Sequence, residues 1–380
     1  MFCYHDHNEY GGSMMEWSTM KSHTLIGVWS CLLILFGGFI SSTVYAGGSP
    51  HEGSKEYEAA MADEIQEAEH EPGYMELHRT GDLSKRGEAL WALMDSCRLC
   101  PRECGANRLD GERGFCRVRG ETLRVASHHA HFGEEQPLVG TRGSGTIFFS
   151  HCNLQCVFCQ NWQISHQGRG QDISIERLAY IMLELQQRGC HNINLVTPTH
   201  YAAHIVKALD IAAEKGLRIP IVYNTSGWER LKVLKLLDGI VDIYLPDFKY
   251  FDSDIAAAYS AGAASYPEQT KEALLEMHRQ VGTAKPAEDG IMYRGLMIRH
   301  LVMPNQIGDS KQILEWIAEH LPLDTYVNIM AQYRPEYKAF DYPELTARVT
   351  QDEYKSVIDK ARELGLTNLD VQEFQWLPMQ

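Results

Sequence analysis

Positive charge is scarce in this chain: 35 Lys and Arg stand against 50 Asp and Glu, a formal net charge of −15. A surface of that sign repels phosphate backbones and argues against nucleic acid as the main partner, although a local basic patch can survive inside an acidic total. Long apolar runs are scarce as well. The apolar run at 25–40 (LIGVWSCLLILFGGFI) falls short of the roughly 20 residues that cross a bilayer. No internal repeat occurs, and Gly143-Ser144-Gly145 lacks the Lys-Ser/Thr that would make it a phosphate loop, so it reads as a turn. A scattered disulfide framework is absent too. Seven of the ten cysteines fall into two tight groups, and grouped thiols in an enzyme-sized chain read as metal ligands before disulfides.

The amino terminus pulls the other way. Lys21 precedes the apolar run, and Val44 and Ala46 after it fit the small-residue rule for cleavage. Residues 1–46 therefore read as a secretory signal peptide or an uncleaved anchor, and any membrane contact runs through this segment alone. Asp6, Glu9 and Glu16, with no Lys or Arg in residues 1–20, are wrong for an n-region, and a start at Met20 would repair it. No twin-arginine pair is present. Residues 47–75 are polar and acidic and read as a linker, within a segment 47–95 that closes with a short amphipathic helix near 86–94.

The informative run is Ser150-His151-Cys152-Asn153-Leu154-Gln155-Cys156-Val157-Phe158-Cys159. Its spacing is C-x3-C-x2-C. Three thiolates on one short loop can hold three irons of a [4Fe–4S] cube and leave the fourth iron without a protein ligand. A cluster that only relays electrons normally closes all four positions with cysteine, so the missing ligand points to chemistry at the iron. Zinc, which also takes closely spaced thiolates, is the alternative on the residues alone.

From Gly145 onward strands alternate with helices. Short apolar runs at 146–149, 193–196, 219–223, 241–245, 296–302 and 325–329 read as strands, with a seventh at 369–371. Helical spacing marks 174–187, 202–214, 228–237, two stretches within 254–281, 311–320, and a last helix opened by the capping box Thr350-Gln-Asp-Glu353. The alternation predicts an α/β fold with a parallel sheet, two βα units short of a full eight-stranded barrel. Working residues of such folds gather at the carboxyl ends of the strands. The cysteine loop follows the first strand, and the later strands end in Thr197-Pro-Thr199, Asn224-Thr-Ser-Gly227, Asp247-Phe-Lys249, Met303-Pro-Asn305 and Gln332-Tyr-Arg334. Asp247 and Lys249, two apart, share a face and suit a zwitterion; the plainer reading is a surface ion pair.

The cysteine run, with its aromatic Phe158, resembles the signature of the radical S-adenosylmethionine (radical SAM) superfamily. The resemblance covers roughly residues 97–340 and is nearest to the PflX-like branch related to pyruvate formate-lyase activating enzymes. It implies a partial (β/α)6 barrel spanning 141–380, and a [4Fe–4S] cluster on Cys152, Cys156 and Cys159 with SAM on the open iron. One-electron cleavage of SAM would then give a 5′-deoxyadenosyl radical that abstracts hydrogen from a substrate. Phe158 would lie near the adenine, and Thr197, Thr199, Asn224, Asp247 and Lys249 would surround the methionine end. Where the branch tends to have Asp-Thr-Asn-Gly, this chain has Asn224-Thr225-Ser226-Gly227, one charge fewer. The implied partners are a flavodoxin- or ferredoxin-like electron donor and, by analogy with activating enzymes, a protein substrate. An electron carrier without SAM chemistry is the alternative from another class. The chemistry draws on cytoplasmic supplies while the leader points to export, and the sequence leaves the location open.

The second group, Cys97, Cys100, Cys104 and Cys116, gives C-x2-C-x3-C-x11-C within a cysteine-rich extension at 96–140. Four thiolates make a closed site, either zinc or a second [4Fe–4S] cluster. Arg98, Arg102, Arg108 and Arg113 surround them and offset their charge. PflX-like proteins carry a similar segment. Between the two groups, His128, His129, His131, Glu134 and Glu135 suggest a rim or interface, with a separate metal site as the lesser reading. Cys190 reads as a small buried hydrophobe.

Overall fold

The computed structural model describes residues 71–372. The leader, Cys31 and the acidic stretch to residue 70 lie outside the described residues. Nine strands form one sheet in the order β3-β1-β2-β4-β5-β6-β7-β8-β9. They are β1 (Leu123–His131), β2 (Ser144–Phe149), β3 (Gln171–Ile173), β4 (Ile193–Val196), β5 (Ile221–Thr225), β6 (Ile243–Pro246), β7 (Gly295–Leu301), β8 (Tyr326–Met330) and β9 (Leu369–Val371). From β2 to β9 every pairing is parallel, and β3 and β9 stand at the two ends of the strand order. This is the partial barrel that the strand count predicts, with all seven parallel strands in place.

The connecting helices follow from the same periodicity. In Ile175–Gln187 the residues Leu178, Ile181, Met182 and Leu185 are buried, the i, i+3, i+4, i+7 stripe of a helix lying on a sheet. Each such side chain contributes roughly 1.5–3 kcal/mol by leaving water. Ser174 caps that helix by accepting from the Arg177 N–H, and Thr350 with Glu353 forms the expected capping box. Among the described residues no helix is long and apolar enough to cross a membrane.

Four expectations need correction. The linker at 47–75 gives way to a helix, Gly73–Arg79, whose Tyr74 and Met75 are buried. The Gly73 N–H donates to Asp242 and the Tyr74 hydroxyl to the Ile219 carbonyl. Tertiary contacts, not composition, order it. The next helix runs Asp82–Ala92, several residues earlier than 86–94. The helix at 228–237 shortens to Leu231–Leu236, because the Trp228 indole donates to Ser265 and Glu229 turns inward to Thr199 and Thr225. Finally, the histidine run, where no strand is predicted, forms β1, antiparallel to β2 and β3. Its half-buried polar face hides the strand pattern, and His129 and His131 pack on Phe148 at 5.7 Å.

Candidate active site

The loop leaving β2 carries the three cysteines. It is pinned on both sides: Ser150 N–H donates to Arg124, His151 N–H to Ile164, and Val157 N–H to Tyr259. His151 and Gln155 take left-handed φ values of 70° and 55°, which turns the chain back twice within five residues. The thiols of Cys152, Cys156 and Cys159 thereby line one cavity of about 790 Å³, counted out to open solvent. Each sulfur has a polar neighbour. Leu154 N–H donates to Cys152 Sγ (3.3 Å), the Ser260 hydroxyl donates to Cys156 Sγ (3.2 Å), and Ser165 Oγ lies 3.1 Å from Cys159 Sγ. Burial, with the neighbouring thiols adding to it, pushes Cys152 up to about 12. Burial likewise raises Cys159 to about 11 against the Ser165 hydrogen bond. Cys156 is raised by burial too, against the pull of Lys249. Three soft donors crowded in a low-dielectric pocket hold negative charge badly by themselves, and a cationic metal centre supplies what they need.

The opposite wall comes from strand ends. Asp247 follows β6, and its two carboxylate oxygens are divided between Lys249 Nζ (2.6 Å) and Arg299 Nε (3.1 Å). Arg299, 1% exposed, stands on β7 and also donates to Asn224 Oδ1 (2.5 Å), with Glu134 Oε2 at 3.5 Å. Burial alone would raise the Asp247 carboxyl, but the Lys249 and Arg299 cations outweigh it and hold it below the usual range. Desolvation lowers half-buried Lys249, but Asp247 and Cys156 together outweigh it and raise the group. Glu134 is pushed up to about 7 by burial, against the pull of Arg299. The plain surface ion pair expected for Asp247 and Lys249 is therefore a buried network at the cavity wall.

Gly227 enforces that placement. Its φ is +83°, and an added Cβ would meet the Asp247 carbonyl oxygen at 2.1 Å. Thr197, at a φ of 60° after β4, donates its N–H to the Asn224 carbonyl and lines the cavity with Asn224. Phe158 lines it as well, ringed by Tyr333 at 5.8 Å and Tyr250 at 6.3 Å. Of the expected cofactor neighbours, Thr199 is the one not brought to this cavity: its hydroxyl donates to Glu229 Oε1 at 2.5 Å. Asn224 Nδ2, Ser226 Oγ and Gln332 Oε1, all on lining residues, are buried without a hydrogen-bond partner among the described residues. Buried polar atoms of that kind call for a polar guest.

In the extension, Cys97, Cys100 and Cys116 are buried and Cys104 is exposed. A Cβ on Gly114 would lie 2.9 Å from Cys104 Sγ and 3.8 Å from Cys116 Sγ. Burial raises Cys100 and Cys116, and neighbouring thiols of the group, Cys97 among them, add to both shifts. Arg108, fully buried, points Nη1 at Cys97 Sγ (3.8 Å) and donates to the His200 and Arg119 carbonyls. Among the described residues no three His, Cys, Asp or Glu side chains stand close enough together to hold a metal ion as they are placed. Glu134 and Glu135 turn to Arg299 and Asn328, away from the β1 histidines, so no shared His/Glu site forms there. Cys190 packs in the apolar core.

Sequence reasoning overlooked Arg299 and read Arg102 only as an offset for the upstream thiolates. Arg299 is the one charged side chain in an otherwise apolar strand apart from His300, and a lone cation in a buried run is the signal that could have found it. Arg102 sits between Cys100 and Cys104 yet reaches the other cysteine loop. It donates to the carbonyls of Asn153 (2.9 Å), Leu154 (3.4 Å), Ser260 (3.1 Å) and Ala261 (2.7 Å), between the rings of Phe115 and Trp228.

Fold and site define an α/β partial-barrel protein with a thiol-rich cavity at its carboxyl-end rim. The sequence profile of the radical SAM superfamily matches residues 146–292. The chain is 32% identical over 283 residues to the uncharacterized protein MJ0674 of Methanocaldococcus jannaschii, 72% of this chain and 76% of that one. It is 27% identical over 267 residues to MJ0808 of the same organism, 65% and 73% respectively. Among solved structures, a radical SAM methyltransferase from Sphaerobacter thermophilus aligns with a TM-score of 0.42 and 14% identity, covering 60% of this chain and 65% of that one. Methylornithine synthase aligns with a TM-score of 0.39 and 15% identity, covering 58% and 67%. This chain belongs to the radical SAM superfamily, whose members are enzymes, and membership implies a [4Fe–4S] cluster and SAM.

Proposed function

We propose that Cys152, Cys156 and Cys159 hold three irons of that [4Fe–4S] cluster and that SAM occupies the cavity facing them. The observation that carries this is the shared cavity: three thiols from one loop look across it at the buried Asp247–Lys249–Arg299 network. When bound, the pair supplies one-electron cleavage of the SAM sulfonium and, from it, hydrogen abstraction from a substrate. The protein's part is to bind, orient and exclude water. Lys249 and Asp247 suit the carboxylate and ammonium of a methionyl group, as ion pairs with charge-assisted hydrogen bonds. Asn224, Ser226 and Thr197 add polar contacts, and the partnerless Asn224 Nδ2 and Ser226 Oγ have hydrogen bonds to give. Phe158 offers an apolar ring beside the adenine.

The finer assignment is an activating-enzyme-like role in the PflX-like branch, with a flavodoxin- or ferredoxin-like protein as electron donor and a partner protein as substrate. The Asp247-Phe-Lys249 strand end supports it, and Asn224 in place of a carboxylate separates this chain from the typical activating enzyme. The four upstream thiols form a second metal site, zinc or [4Fe–4S], supported by the approach of Cys104 and Cys116 around Gly114.

The test is anaerobic reconstitution from near Gly47, followed by SAM and dithionite and an assay for 5′-deoxyadenosine. Product from the wild type, absent from Cys156→Ala but retained in Cys190→Ala, is the expected result. A loaded cluster that fails to bind SAM would replace the enzyme reading with that of an electron carrier.

A further inference from the structure

A second pocket lies on the other side of the cysteine loop and shares no lining residue with the first. It encloses about 760 Å³, counted out to open solvent, between the extension, His151 and the 167–172 segment. Its cations are all arginine: Arg113, Arg117, Arg119 and Arg124. The single carboxylate in its lining, Asp172, stands 3.6 Å from Arg124 Nη1. Arg113, Arg117 and Arg119 have no carboxylate within 4.0 Å among the described residues, although the chain carries 50 acids against 35 bases. Arg113, Arg117 and Arg119 are exposed, and three guanidinium groups without an acidic partner around one concavity attract an anionic guest.

The pocket is also built rather than draped. Arg117 holds a left-handed φ of 62°, fixed by its N–H on the Gly114 carbonyl (2.8 Å), and His151 holds a φ of 70°. Such conformations cost about 1 kcal/mol or more each and persist where the surroundings over-determine them. Gly168, at a φ of +68°, lies so close beneath the His151 ring that a Cβ there would sit 2.2 Å from the imidazole. The Arg124 N–H donates to the hydroxyl of buried Tyr201, which fixes the root of the fourth arginine.

We propose that this pocket binds the phosphate groups of a small phosphorylated molecule. Arginine forks match phosphate oxygens two at a time, which lysine cannot do, and no lysine lines the pocket. A charge of about three matches a diphosphate better than a lone carboxylate. A nucleic acid fits poorly, since one isolated basic pocket in a −15 chain is not the stripe that tracks a backbone. His151 joins the pocket directly to Cys152, so the guest binds one residue away from the cysteine loop while leaving the first cavity free.

The test uses inorganic pyrophosphate and the full chain, with calorimetric titration at constant ionic strength, and needs no catalytic turnover. Expected is saturable 1:1 binding that weakens about tenfold or more in the double variant Arg117→Gln/Arg119→Gln and several-fold in Arg113→Gln, with unchanged circular dichroism in each. Equal binding by wild type and variants, or no saturable heat, overturns the proposal. An acidic ferredoxin that binds through these arginines while pyrophosphate does not also overturns it, in favour of a protein docking site.

Discussion

Lys249 Nζ and Asp247 Oδ2 stand 2.6 Å apart on a cavity wall, with Arg299 closing on the other carboxylate oxygen at 3.1 Å. One buried carboxylate thus bridges two cations, buried Arg299 and half-buried Lys249, while Glu134 Oε2 stands 3.5 Å from Arg299.

Asp247→Asn should therefore leave Lys249 without its counter-charge and Arg299 with Glu134 alone, and lower stability by roughly 3–5 kcal/mol. The carboxyl is held below its ordinary value, so its contribution is complete above about pH 4 and is lost only as pH falls through the folded value. Urea denaturation of both proteins should show a constant gap from pH 5 to 8 that narrows in stronger acid. A gap that widens in acid would refute the network.

Gly227→Ala should both destabilise the fold and weaken SAM binding, since the new Cβ pushes on the Asp247 carbonyl. Gly262→Ala is the control: its φ is +77° with nothing within 4 Å, so it carries only the backbone cost of about 1 kcal/mol. Equal losses of stability and of SAM affinity in the two variants would show that contact with Asp247 is unimportant.

Asp242 predicts a pH-dependent stability unconnected with the cavity. Burial pushes its carboxyl up to about 6, against hydrogen bonds from Gly73 and Ile221. The folded state then keeps a proton that the unfolded chain releases, so stability falls as pH rises between about 4 and 6, by about 3 kcal/mol at most. The wild-type stability profile should carry this slope and Asp242→Asn should lack it. Parallel profiles would dismiss the assignment.

Arg102→Lys keeps the charge but loses the planar fork that gathers four carbonyls from two loops. The expected consequence is slower iron loading at Cys152, Cys156 and Cys159 and an altered electron paramagnetic resonance line shape on adding SAM, with the fold retained by circular dichroism. Unchanged loading and spectra would show that the extension does not position the loop.

The sequence alone determined the strand–helix alternation, the cysteine loop after the first barrel strand and the polar residues at strand ends, because these rest on local periodicity and short spacing. The helix Ile175–Gln187 and the capping box at Thr350 were legible for the same reason. Tertiary structure decided what depends on distant partners. Gly73–Arg79 is helical because Asp242 and Ile219 receive its polar groups, and β1 is a strand because β2 pairs along its histidine-rich stretch and β3 with Leu123, Arg124 and Val125. Arg299 meets Asp247 across 52 positions, and Thr199 turns to Glu229 across 30. No sequence pattern encodes either choice, since each is settled by which side chains the closed sheet brings face to face and by the high cost of burying a charge alone.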